Sequence, residues 1–240
     1  MKRFSVAAAI VLFTNLAWGQ NCQVHAFDNK LPVTKIPVTV VCKERFAVGF
    51  NTVTKQPAWV AYHITPAQLA AVGTPRAFSF KPDPAVPSQF QVTDAEYAGT
   101  DFDKGHLVPY EDVNDSATAA VESFKYINAS PQYYWFNRGI WKSLETKVRT
   151  AGASTDLYVV AGPIVQVPAQ VMMGTVPVAT GFWKIIVNPS AKTITTYIIP
   201  HQKGLKTDDL PSLLRKEEDV LKVTGVNAIP SRKKLTVMLK

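Results

Sequence analysis

Between Asp101 and Arg149 the chain holds two short polar pieces, Asp103-Lys104-Gly105-His106 and, after a long interval, FNRGIWKSLE from Phe136 to Glu145. The segment reads as strand, loop and helix. From Phe136 to Thr150 the residues are good helix formers, and Ile140, Trp141, Leu144 and Val148 recur at helical spacing, so one face of that helix is apolar and must pack inward. Gly152 is its expected stop. An imidazole, a carboxamide, a carboxylate and several cations are thereby placed on one strand end and one helix, and the rest of the chain has to build a scaffold that brings the two together.

The scaffold is written in β-branched and aromatic runs. IPVTVV (Ile36 to Val41), FAVGFN (Phe46 to Asn51) and PAWVAYHI (Pro57 to Ile64) are expected strands, as are LYVVAGPIV (Leu157 to Val165), FWKIIVN (Phe182 to Asn188) and TITTYIIP (Thr193 to Pro200). PSAK joins the last two as a hairpin. Thr65 caps a short helix with Pro66 in its first turn, and the proline-rich stretch from Phe78 to Pro87 reads as an ordered surface loop. A polar-apolar pattern from Leu210 to Lys222 predicts a helix closed by Thr224-Gly225. With 240 residues and 47% hydrophobic composition, the chain is expected to form one domain around one sizeable core.

The first residues have a different destiny. Lys2 and Arg3 precede an apolar run from Phe4 to Trp18, too short to span a bilayer, and Ala17 and Gly19 provide small residues for cleavage. Residues 1–19 therefore read as a signal peptide, with 20–240 as the mature domain, periplasmic or secreted and without stable membrane insertion. In such a compartment Cys22 and Cys42, the only cysteines, are expected to pair, closing a loop worth roughly 3 kcal/mol. Two cysteines and four histidines without close ligand spacing argue against zinc. Removing Lys2 and Arg3 takes 26 basic residues to 24 against 18 acidic, a formal charge of +6, which favours encounter with a polyanion such as nucleic acid.

His106 alone would read as a hydrogen-bonded structural histidine, and Glu145 with Arg149 as an ordinary helical ion pair. The combination changes that reading. A neutral imidazole deprotonates water near neutral pH, and a hard cation such as Mg²⁺ keeps most of its water, so one carboxamide from Asn137 suffices when phosphate oxygens complete its shell. On a regular α-helix Asn137 and Glu145, eight residues apart, stand roughly 80° from eclipsed. Glu145 then reaches the ion only through water. Gly105 is expected to give the backbone before His106 a conformation closed to other residues.

In order, letters and spacing, these pieces resemble the DNA/RNA non-specific endonucleases of the ββα-metal superfamily, with their DRGH, N-x-[ST/A]-P-Q and N-x-x-x-W-x-x-L-E signatures. Here they read Asp103 to His106, Asn128-Ala129-Ser130-Pro131-Gln132, and Asn137 through Trp141 to Leu144-Glu145. FKPDP (Phe80 to Pro84), AEYAGTDFD (Ala95 to Asp103) and VLKVTG (Val220 to Gly225) extend the likeness over most of the mature chain. The resemblance implies an α+β fold, a central antiparallel sheet flanked by helices, carrying a ββα-metal motif. It implies Mg²⁺, with Mn²⁺ as a substitute, and DNA and RNA held by the phosphate backbone and cut to 5′-phosphorylated products. It makes His106 the general base, Asn137 the direct metal ligand and Glu145 a carboxylate acting through water. Asn128 would help hold the histidine, Gln132 would lie nearby, Arg149 would be the helix arginine and Arg76 the upstream phosphate-binding arginine. A homodimer and a protein inhibitor stay open. Lys104 departs from the family's arginine and replaces a planar fork with a point charge. The alternative reading is therefore a catalytically weak or inactive nucleic-acid-binding relative.

Overall fold

The computed structural model describes residues 21–231 and 235–238; the expected signal peptide, 1–19, lies outside them. The strands predicted from the β-branched runs assemble into one eight-stranded sheet. Its path runs Leu214–Arg215, Thr193–Pro200, Gly181–Asn188, Leu157–Ile164, Gln56–Ile64, Phe46–Asn51 and Thr39–Cys42, and Thr236–Met238 adds to Thr193–Pro200. Every pairing along the path is antiparallel, and only the added strand runs parallel. The fold is α+β, with the sheet flanked by helices.

Both faces of the sheet are covered, which explains why its central strands read as nearly continuous apolar runs. In Gly181–Asn188 the two-residue period of a strand sends Trp183, Ile185 and Val187 to one side, against Cys22, Val220, Ala228 and Ile229. Phe182 faces the other side, where Phe136, Ile140, Trp141, Leu144 and Val148 of the polar segment dock on Val60, Tyr62 and Ile64. Trp59, Trp141 and Trp183 are fully buried, and a large side chain taken from water contributes roughly 1.5–3 kcal/mol. Cys22 and Cys42 form the expected disulfide, tying the N-terminal turn to the edge strand.

On the docking side, strand Phe102–His106 pairs with Ala129–Tyr133 in a separate two-stranded ladder, His106 opposite Ala129. Helical structure then runs from Tyr134 to Gly152, completing a strand, strand, helix unit. Thr65 caps helix Pro66–Ala70 reciprocally with Gln68, as its sequence predicts. Two expectations are corrected. The segment from Leu210 to Lys222 is not one helix: a 3₁₀ stretch, Thr207–Leu213, and the short strand Leu214–Arg215 precede helix Glu217–Thr224. Pro211 has no amide hydrogen and Leu214 pairs with Tyr197, which explains the break. Gly225 does close the helix, in the left-handed conformation. Gly105 is not left-handed. It lies in extended strand, and the reason for glycine is space, since a Cβ there would sit 2.3 Å from the Gln132 side chain of the facing strand.

Candidate active site

The strand end and the helix enclose a cleft of about 490 Å³ lined by His106, Asn137, Glu145, Lys104, Arg76 and Arg149 among others. Asn128 and Gln132 are buried beneath it. His106 ends its strand with the ring packed between Phe80 and Phe124, each 4.8 Å between centroids. Its Nε2 is buried without a hydrogen-bond partner, and the residue lines the cleft. Burial first, and the charge of Arg76 second, hold the imidazole down at about 3, so it is neutral at pH 7; the same surroundings weaken it as a base. The backbone around it is pinned twice. Trp141 Nε1 donates to the His106 carbonyl at 3.2 Å. Asn128 accepts from Val108 N–H at 2.9 Å and donates to the Val108 carbonyl at 3.0 Å. Asn128 thus touches the chain two residues beyond the histidine rather than its ring.

Asn137 and Glu145 both line the cleft, although a regular helix would set them roughly 80° apart. The helix between them is not regular: residues Asn137–Trp141 form a π turn, with Gly139 at the non-helical φ −100° and ψ −114°. Asn137 Nδ2 donates to Asp103 Oδ2 at 2.9 Å, which leaves its Oδ1 as the remaining acceptor. Asp103 also receives both ends of the Arg138 fork, at 2.8 and 2.6 Å. Burial works to raise that carboxyl, but the hydrogen bonds from Arg138 and Asn137 outweigh it and hold Asp103 below its usual range.

Beneath Glu145 lies a group that the motifs did not reveal. Lys184 is fully buried on Gly181–Asn188, with Nζ 3.9 Å from Glu145 Oε1, 3.5 Å from the Tyr62 hydroxyl and 4.6 Å from the Trp141 ring centroid. Burial raises the Glu145 carboxyl and lowers the Lys184 ammonium, each opposed by the charge of the other. The expected Glu145–Arg149 pairing does not form. Arg149 Nε donates instead to the buried Asp112 at 2.7 Å, and its Nη2 lies 3.7 Å from Glu111. The signal for Lys184 was present: in FWKIIVN the two-residue period puts a lysine on the same face as Phe182 and Ile186, inside a strand otherwise fit for burial.

Lys104 enters the cleft but is held at its edge. Its ammonium pairs with Asp94 and sits 5.8–5.9 Å from the rings of Phe80, Tyr97 and Tyr126. Arg76 stacks over Phe124 and Tyr110, 5.4 and 5.7 Å from their centroids, and lies 3.7 Å from Glu111. Gln132 has both amide atoms buried without partners.

A profile of the DNA/RNA non-specific endonuclease family matches residues 26–233. The chain belongs to that family. Among relatives of this endonuclease, nuclease C1 of Cunninghamella echinulata var. echinulata is 32% identical over 201 residues, covering 77% of this chain and 80% of that protein. The mitochondrial nuclease EXOG of Xenopus laevis is 26% identical over 202 residues, again 77% of this chain but 56% of that protein, so the chain spans little more than half its length. A solved structure of an EndoG/EndoGI complex, described as revealing the mechanism of EndoG inhibition, superposes with a TM-score of 0.73 at 24% identity, over 84% of this chain and 92% of that one. That likeness establishes the shared ββα-metal fold.

The donor set can be tested against the family's metal. Among the described residues no three His, Cys, Asp or Glu side chains gather as a chelating group. Asn137, with its Oδ1 as the remaining acceptor, and Glu145 line the same cleft, while Glu145 Oε1 lies buried 3.9 Å from Lys184 Nζ. One neutral oxygen with one carboxylate nearby fits a hard cation that retains most of its water. Asn137 would hold such an ion directly, and Glu145 would orient its water.

Proposed function

We propose that this protein is an exported, Mg²⁺-dependent endonuclease that hydrolyses phosphodiester bonds of both DNA and RNA, leaving 5′-phosphorylated ends. The observation that carries the reading is the convergence, in one cleft, of a neutral His106, the Asn137 carboxamide and the Glu145 carboxyl. Each chain residue has a definable task. His106 accepts the proton of the attacking water, and the hydrogen bond from Trp141 keeps the strand end fixed while it does so. Asp103 holds Asn137 by its Nδ2, which orients the opposite oxygen. Arg76, Lys104 and Arg149 supply positive charge around the phosphate. A bound Mg²⁺ would neutralise charge developing on the phosphate and on the leaving oxygen.

None of these groups reads a base edge, and backbone contacts carry no direct sequence information, which supports action on both DNA and RNA. Export rests on residues 1–19 alone. The test is incubation of purified protein with plasmid DNA and with RNA, in Mg²⁺ and then in a chelator; cleavage that depends on the ion supports the reading, and its absence across a range of salt concentrations sinks it. One observation favours an inactive binding relative, namely that Lys104 stands where the family has arginine and is neutralised by Asp94. Retained binding without cleavage in the same assay would identify that case.

A further inference from the structure

Five cationic side chains line the cleft: Arg76, Lys104, Arg138, Lys142 and Arg149. Four are already matched by carboxylates. Arg76 lies 3.7 Å from Glu111, Arg138 2.6 Å from Asp103 and Arg149 2.7 Å from Asp112, while Lys104 pairs with Asp94. Among the described residues, Lys142 is the cleft cation with no carboxylate in ion-pairing range. Its natural helical partner is Glu145, three residues on, but that carboxylate is turned inward to Lys184, 3.9 Å away. The next candidate, Thr146, spends its hydroxyl proton on the Lys142 carbonyl at 3.0 Å. An exposed ammonium is thus left facing the cleft between the residue proposed to hold the ion, five positions earlier, and the carboxylate proposed to orient its water.

We propose that Lys142 is the contact for a second phosphate, the one flanking the phosphate being cut, so that the cleft engages at least two consecutive phosphates of a strand. The inference rests on the nuclease reading and extends it to the shape of the substrate. An ammonium is a compact charge with three rotatable donors, suited to a neighbouring phosphate whose position varies with the sugar and base. A contact at Arg76, Lys104, Arg138 or Arg149 exchanges a carboxylate for a phosphate, whereas at Lys142 it adds a full unmatched charge. Lys142 should therefore weigh heavily in the dependence of binding on salt.

The test measures affinity for a fluorescent thymidine oligonucleotide in the presence of a chelator, from about 50 to 200 mM salt, for the parent, Lys142→Gln, Lys142→Arg and Lys147→Gln. Lys147 is exposed on the same helix and does not line the cleft. The expected result is that Lys142→Gln weakens binding roughly fivefold at low salt and flattens the slope of log affinity against log salt by about 0.7. Lys142→Arg keeps the parent slope, and Lys147→Gln changes it far less. Equal effects of Lys142→Gln and Lys147→Gln would mean that Lys142 acts through net charge alone, and would overturn the subsite; so would an unchanged slope in Lys142→Gln. Failure of the parent itself to bind would bring down the nucleic-acid reading, and the subsite with it.

Discussion

His106 owes its character to its neighbours. With burial and Arg76 holding it at about 3, the acidic limb of kcat/KM belongs well below the ordinary histidine range. Arg76→Gln removes the second of those causes and should move the limb upward. A parent limb near pH 6.5 would contradict the environment described. His106→Ala should cut turnover by about 10²–10⁴-fold, with oligonucleotide affinity in chelator held within about twofold; turnover close to the parent's would show that the base lies elsewhere. Lys104→Arg should preserve or raise activity, provided that the ring-lined corner beside Asp94 admits the larger fork, and steady-state rates on plasmid DNA decide it. That His106 and Asn137 meet in one cleft was legible, because the order of types along one short segment places them together. The burial of Lys184 could be read from its strand, but its place under Glu145 could not, nor could those of Asp112 and Glu111 beside Arg149, because these depend on which strand or turn lies beneath the helix, a three-dimensional fact.

At the scale of elements, the strands, their hairpin and the first helix cap could be read from period and composition, since each is decided by neighbours close in sequence. The π turn could not. A regular helical repeat places Asn137 and Glu145 roughly 80° apart, whereas both line the cleft across the irregular turn Asn137–Trp141. Deleting Gly139, whose Cβ position contacts nothing within 4 Å, would set the two seven positions apart, about 700° of α-helix and so roughly 20° from eclipsed; the circular dichroism spectrum and saturable Mn²⁺ binding measured by calorimetry should both stay close to the parent's. Lost binding in a folded variant would mean that the turn itself shapes the site. Gly105→Ala tests the ladder itself. A methyl group 2.3 Å from Gln132 forces side chain or strand to shift, with an expected loss of roughly 1–3 kcal/mol in urea unfolding.

For the whole molecule, the sheet has two jobs: one face carries the chemistry, and the other is packed down by the disulfide-tied N-terminus and helix Glu217–Thr224. The site-bearing face buries histidines as neutral rings, and that shapes stability. His201 donates to the Ala179 carbonyl and accepts from Tyr133 N–H, both at 2.9 Å, and burial lowers it from 6.5 to about 4. Between those values the unfolded chain binds a proton that the folded one refuses. The contribution is therefore complete above about pH 6.5 and is lost as pH falls toward 4, at roughly 1.4 kcal/mol per unit. Urea unfolding across that window should show the decline, and His201→Gln should flatten it by about that slope.

Phe80, against which His106 rests, belongs to none of the strands or helices of the fold; it comes from the proline-rich stretch that crosses the surface before the catalytic segment begins. That stretch is itself moored to the scaffold, through Val86 in the core and through the buried Asp83, 2.6 Å from Lys43. A change in how it sits would therefore reach the imidazole from outside the segment that carries it, as a peg moved at one end of a string alters the pitch at the other.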